Sequence, residues 1–233
     1  VDRLASEGIV LHHLDIGGRL GSTDSQDVFE EGLQIPLLKL YKAGERNEDL
    51  FRVIEENVRI PHVVLGDLDA QLAANQVGAA RLLELATDYD LSGFVEIAEA
   101  ITATSEKAMR AAIRALPNGF YEARQELEIA GEDGQPITIR LKIAIEDERI
   151  VFDYAGTTAQ VRRPINCVLN YTITFTTLAM KMALVPELPY NGGIQHPIIV
   201  KAPEGSVLNA LRPAAVWRRT VLGMQLPDII FKT

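Results

Sequence analysis

The stretch Ile137-Thr138-Ile139-Arg140-Leu141-Lys142-Ile143-Ala144-Ile145 decides the fold. Aliphatic residues take every second place, and Thr, Arg, Lys and Ala take the others. That is the period of a strand with one dry face and one wet face. Phe120–Ile129 precedes it across Gly131-Glu132-Asp133-Gly134, and Arg149–Tyr154 follows it across Glu146-Asp147-Glu148. The spacing predicts three strands in an antiparallel meander. Asp147-Glu148 lacks the ordered ligand spacing of a calcium loop and reads as a solvated turn.

Upstream of the meander the period is helical. In Ser92–Leu116, Phe94, Ile97, Ala98, Ile101, Ser105, Ala108, Met109, Ala112, Ile113 and Leu116 form one stripe, with Ser92 as N-cap and Pro117-Asn118-Gly119 as the stop. Pro61 to Asp88 carries a second apolar stripe through Leu65, Leu68, Leu72, Ala79, Leu82, Leu83 and Ala86, joined by Gln71 and Asn75. Two such helices joined near Tyr89-Asp90-Leu91 should pack as a hairpin. Asn47 is placed to cap a helix over Glu48–Val58, and Ile35–Tyr41 reads as a strand with Pro36 near its start.

Downstream, Val168–Leu184 reads as an apolar helix with Asn166 as its cap. Cys167 beside a helix start is open to two readings, an activated thiol or a small buried core residue. Asn191-Gly192-Gly193 is expected to be a turn, His196 stands just before a strand at Pro197–Ala202, and Val207-Leu208-Asn209 reads as a short extended piece. Pro227 is expected to interrupt a last helical stretch. Asn166, Asn191 and His196 are candidates for lining a cleft.

The chemistry concentrates in Gly8–Gly18, where an apolar run delivers His12-His13-Leu14-Asp15 and then breaks at Gly17-Gly18. Neighbouring strand residues face opposite ways, so the two histidines do not share one site while a strand continues. A break after Leu14 brings His12 and Asp15 together as a His-x-x-Asp pair, an imidazole and a carboxylate able to share a divalent metal or a proton. The same spacing also suits a buried histidine hydrogen-bonded to an aspartate that shapes a turn.

Composition narrows the classes of function. Of 233 residues, 47% are hydrophobic and 24% charged, the make-up of ordinary globular material. A net charge of −9 offers no basic surface to phosphates, so no nucleic-acid partner is expected. No apolar run is long enough to span a bilayer, and no membrane partner is expected. A single cysteine fits a reducing compartment, the cytoplasm. Walker-type loops, Gly-x-Gly-x-x-Gly and Gly-x-Ser-x-Gly are absent from the sequence.

His12-His13-Leu14-Asp15-Ile16-Gly17-Gly18, Glu30–Pro36, Leu65–Asn75, Met109–Gly119, Asp153–Gly156, Ile165-Asn166-Cys167, Ala202–Ser206 and Pro213–Val216 occur in an order and spacing that run nearly end to end. Together they resemble the hydantoinase B / 5-oxoprolinase family, which includes the large subunits of acetone and acetophenone carboxylases. The resemblance implies a cytoplasmic complex with a hydantoinase A-like partner subunit that binds ATP. It implies carbonyl activation by phosphorylation, followed by opening of a cyclic amide such as a hydantoin, 5-oxoproline or lactam. In the carboxylase branch a ketone is joined to bicarbonate instead. From its carboxylase-like members it further implies a divalent metal (zinc, manganese or similar) held by an upstream His-x-x-Asp pair together with His12. Asp15 then acts either beside the ligands or as an alternative ligand.

The family's subunit is more than twice this length, so the chain is expected to be an internal piece carrying part of the metal site, and inactive alone. A non-catalytic scaffold or interaction role is the reading from another class. The expected fold is α+β, organised as a site-bearing strand and loop segment (1–60), a helical hairpin (61–117), and a β-meander followed by mixed αβ elements (118–233).

Overall fold

The computed structural model describes residues 12–89, 94–131 and 134–233. The fold is α+β, with two compact units: one takes in residues 12–21 and 29–98, the other 22–28 and 99–233.

In the first unit, two short strands, β1 (Tyr41–Lys42) and β2 (Glu45–Arg46), pair as a hairpin. Ala43 and Gly44 both take positive φ at its turn, the backbone that a two-residue hairpin requires. Asn47 then caps α1 (Glu48–Asn57), its side chain accepting a hydrogen bond from the Leu50 N–H at 3.3 Å. Proline opens α2 (Pro61–Asp88), where its missing N–H costs nothing. Phe51, Ile54, Val58, Val64 and Leu68 form the buried core. Tyr41 meets Phe51 edge-on at 5.7 Å, and the Arg46 guanidinium lies 3.7 Å from the Phe51 ring centre. The strand expected over Ile35–Tyr41 does not form: only Tyr41 pairs, and Leu37 is fully exposed. That run has no alternation to bury, so nothing holds it to a sheet. Of the expected α2 stripe, Leu68 is buried, Leu65, Leu72, Leu82 and Ala86 are half-buried, and Ala79 and Leu83 are exposed. Ser92 and most of the connection towards α3 lie outside the described residues.

The second unit is built on a four-stranded sheet. β3 (Gly119–Ala130), β4 (Pro136–Glu146) and β5 (Arg149–Asp153) form the antiparallel meander, and β6 (Ile198–Lys201) joins β5 in parallel. The alternation in β4 is realised: Ile137, Ile139, Leu141, Ile143 and Ile145 are all buried. From α3 (Phe94–Arg114), Ser105, Met109 and Ile113 are buried at intervals of four. The crossover from β5 to β6 carries α4 (Leu169–Leu184), as a parallel pair requires. It buries Thr172 and Thr176 by giving each hydroxyl a partner. Thr172 donates to the Leu208 carbonyl at 2.6 Å, and Thr176 shares a 2.8 Å bond with the buried Tyr154 hydroxyl.

Three local expectations change here. Val168, not Asn166, stands at the α4 cap position, with no side-chain cap bond. Asn191-Gly192-Gly193 opens a short helical turn, α5 (Gly192–Gln195), rather than a loop turn. Val207 and Leu208 are not extended but fill a tight turn closed by the Ser206–Asn209 bridge, both wholly buried. At the end of the chain the helical stretch breaks at Met224, between α6 (Thr220–Gly223) and α7 (Gln225–Ile230). Pro227 lies in the first turn of α7, where a proline is tolerated, so it does not interrupt the helix.

Candidate functional site

The loop after His12 is fixed by one carboxylate. Asp15 is almost wholly buried, at 2% exposure. Its Oδ1 accepts from the Gly17 N–H at 2.9 Å and from Arg59 Nη1 at 2.9 Å, and its Oδ2 accepts from the Arg59 backbone N–H. The Arg59 guanidinium also donates to the Gly18 carbonyl. Burial alone pushes the Asp15 carboxyl up. The backbone N–H groups of Arg59 and Gly17 and the Arg59 cation outweigh it and hold the group below the usual carboxylate range.

The glycines let this turn lie against a second strip of chain. Gly18 has φ +63°, and a Cβ there would come within 2.5 Å of the Glu30 carbonyl oxygen. Arg19 N–H donates to that carbonyl at 2.7 Å, and Leu33 N–H donates to the Ile16 carbonyl at 2.8 Å. The turn is therefore clamped on both sides, and His12 enters it as an exposed imidazole.

Asp15 thus shapes the turn, as the structural reading of the His-x-x-Asp spacing allowed, but with Arg59 as its partner. The carboxylate has no oxygen without a donor. A metal at this loop would not fit on Asp15, whose oxygens already accept from two backbone N–H groups and the Arg59 guanidinium. It would fit on the exposed His12 imidazole. Among the described residues no group of three His, Cys, Asp or Glu side chains converges to hold an ion, so further donors would have to come from elsewhere.

His13 is half-buried. Its Nε2 lies 3.4 Å from Gln71 Nε2 on α2, so the carboxamide donates to the ring. Among the described residues its buried Nδ1 has no partner, nor has Asn75 Oδ1 one turn further along α2. The pattern of α2 puts Gln71 and Asn75 on a half-buried stripe, but it carries no sign that a histidine 58 positions away meets the first of them.

The remaining candidates lie in the second unit, and each has structural work. Asn166 is wholly buried. Its Oδ1 accepts from Val161 N–H at 2.9 Å, while its Nδ2 reaches the carbonyls of Val161, Arg163 and Ala215 at 2.8–2.9 Å. It ties two loops together, which explains why it does not cap α4. Cys167 is buried, with its Sγ 3.3 Å from the Arg219 carbonyl, and burial pushes its thiol up to about 12. Of the two readings of this residue, the buried core cysteine is the one realised.

Asn191 caps α5 through Gly193 N–H at 2.9 Å and donates to the buried Ser105 hydroxyl of α3 at 2.8 Å. His196 Nδ1 lies 2.7 Å from Glu106 Oε2, and Glu106 also takes the Arg110 guanidinium at 2.6 Å. Hydrogen bonds from His196 and then Arg110 hold the Glu106 carboxyl low. Together these contacts pin α5 to α3.

The model of the Hydantoinase B/oxoprolinase family matches residues 5–233. A Pseudomonas sp. (strain NS671) protein, named for the B component of a D-/L-hydantoinase, is 32% identical over 95% of this chain. Among solved structures, the ATP-dependent caprolactamase of Pseudomonas jessenii superposes with a TM-score of 0.82 at 30% identity over 92% of the chain. The nucleotide-free acetone carboxylase superposes with a TM-score of 0.76 over 90% of the chain, at 18% identity, a likeness of fold alone. The chain spans 40% of the length of that hydantoinase relative, 38% of the caprolactamase chain and 30% of the acetone carboxylase chain. No helix among the described residues is long and apolar enough to cross a membrane.

Proposed function

The chain belongs to the hydantoinase B/oxoprolinase family, and on that premise we propose that it is part of the B-type subunit of an ATP-dependent hydrolase that opens a cyclic amide: a hydantoin, 5-oxoproline or another lactam. The observation that carries this reading is the likeness to caprolactamase, in fold and at 30% identity together. The ketone-carboxylase alternative is supported by likeness of fold only.

In this reading the ATP site lies on a hydantoinase A-like partner subunit, and the complex works in the cytoplasm. His12 would hold a divalent metal together with donors from outside the described residues, and such a metal supplies Lewis-acid polarisation of a carbonyl or of water. The chain's own part is to aim that imidazole. Asp15 is a positioning residue: it accepts the Gly17 and Arg59 N–H groups and so fixes the path of the loop that presents His12. Gly17 and Gly18 let the loop fold back, and Arg59 holds it through the Gly18 carbonyl.

The test uses the full-length gene product copurified with its partner subunit. ADP release is measured with hydantoin, 5-oxoproline and caprolactam, and separately with acetone and bicarbonate. ADP release that depends on a cyclic amide is expected. Release driven only by ketone and bicarbonate would overturn the hydrolase reading, and no stimulation by any of them would support the scaffold role instead.

A further inference from the structure

On the exposed face of the second unit's sheet, the register of β3 and β4 sets Arg124 directly opposite Arg140, and Glu122 opposite Lys142 in the next pair. Like charges facing each other across a ladder oppose strand pairing. Lys142 is neutralised, its Nζ 2.9 Å from Glu122. Arg124 turns one guanidinium nitrogen to Glu126 on its own strand. Arg140 differs: among the described residues no hydrogen bond or ion pair reaches its guanidinium. Only its backbone is engaged, its N–H donating to Thr157 Oγ1 at 3.1 Å and its carbonyl accepting from the same hydroxyl at 3.3 Å.

Glu122, Arg124, Arg140 and Lys142 line a groove of about 370 Å³ together with Ala155 and Gly156. Gly156 has φ +82°, and a Cβ there would lie 2.9 Å from Arg140 Cδ. The loop packs on the arginine stem, and its positive φ at Gly156 is a backbone that favours glycine. A cation without a counter-ion is thus held in a groove, facing a second arginine, in a chain of net charge −9.

We propose that this groove is an oxyanion site, taking a carboxylate or phosphate group on Arg140 with Arg124 as the second donor. A guanidinium offers a planar fork that matches either group with two parallel N–H···O bonds. An anion between the two arginines converts their repulsion into a bridge.

The test follows the arginine side-chain N–H signals of the full chain by NMR at constant ionic strength, during titration with inorganic phosphate and, separately, with malonate. Saturable shifts at Arg140 and Arg124 are expected with at least one anion, and which one saturates assigns the source as phosphate or carboxylate. R140Q should weaken binding by about tenfold or more, the loss of a charge-assisted pair. R149Q, at an exposed arginine paired with Glu146, should not. G156A, whose new methyl presses on the Arg140 stem, should weaken binding while Arg140 remains present. No saturable shift with either anion, or equal responses in R140Q and R149Q, would overturn the proposal.

Discussion

At Asp15 a carboxylate that is nearly out of water keeps its charge, because two backbone N–H groups and the Arg59 guanidinium converge on it. Asp15→Asn keeps the shape but removes the charge, and should cost roughly 1–3 kcal/mol, the scale of hydrogen bonds to an ionised group. The sign of the pH dependence follows from a folded carboxyl held below its usual range. The contribution is complete above the unfolded value of about 3.9 and is lost as pH falls through the lower folded value. The stability gap between wild type and variant, from urea unfolding, should therefore be full at neutral pH and close below about pH 4. A gap that stays constant across that range would count against the assignment. Cys167 makes a simpler case. With its thiol pushed up to about 12 and its side chain buried, it should resist thiol reagents at pH 8 in the native protein and react once unfolded. Rapid labelling of the folded chain would contradict the buried-thiol assignment.

At the scale of elements, α5 is held to α3 at a distance that only glycine permits. A Cβ on Gly193 would stand 2.9 Å from the Glu106 backbone nitrogen and closer still to the Thr102 carbonyl. Gly193→Ala should free α5, loosening the Asn191–Ser105 and His196–Glu106 contacts. Hydrogen exchange of residues 191–196 should rise in the variant while the β3–β5 amides stay protected. Unchanged exchange in α5 would show that the contact bears no load. The elements that could be read from the sequence are those whose burial pattern is local. β4 writes its dry face in alternate aliphatics, α1 announces its cap at Asn47, and α2 begins at Pro61 as its sequence predicts. Elements whose partners lie far along the chain could not be read this way. Nothing near Ile198 signals that it pairs in parallel with Ile150, and nothing near Asn166 reveals the Ala215 carbonyl that takes its amide. The same limit holds at the candidate site. The Gly17-Gly18 break is plain in the sequence, but Arg59, 44 residues downstream, is invisible there as the partner of Asp15, and so is Gln71 beside His13.

For the whole molecule, a family match across residues 5–233 and a TM-score of 0.82 to caprolactamase meet a chain that covers only 40% of its hydantoinase relative. In the proposed function the reaction belongs to the longer assembly, and the chain's share in it is a clamped loop that presents His12. The measurement that tests this account most directly is the mass of the product formed by the full-length protein with its partner subunit, ATP, a cyclic amide and ¹³C-bicarbonate. The account predicts a ring-opened product heavier than the substrate by one water and free of ¹³C. A product carrying the bicarbonate carbon would contradict it and assign the chain to carboxylase chemistry.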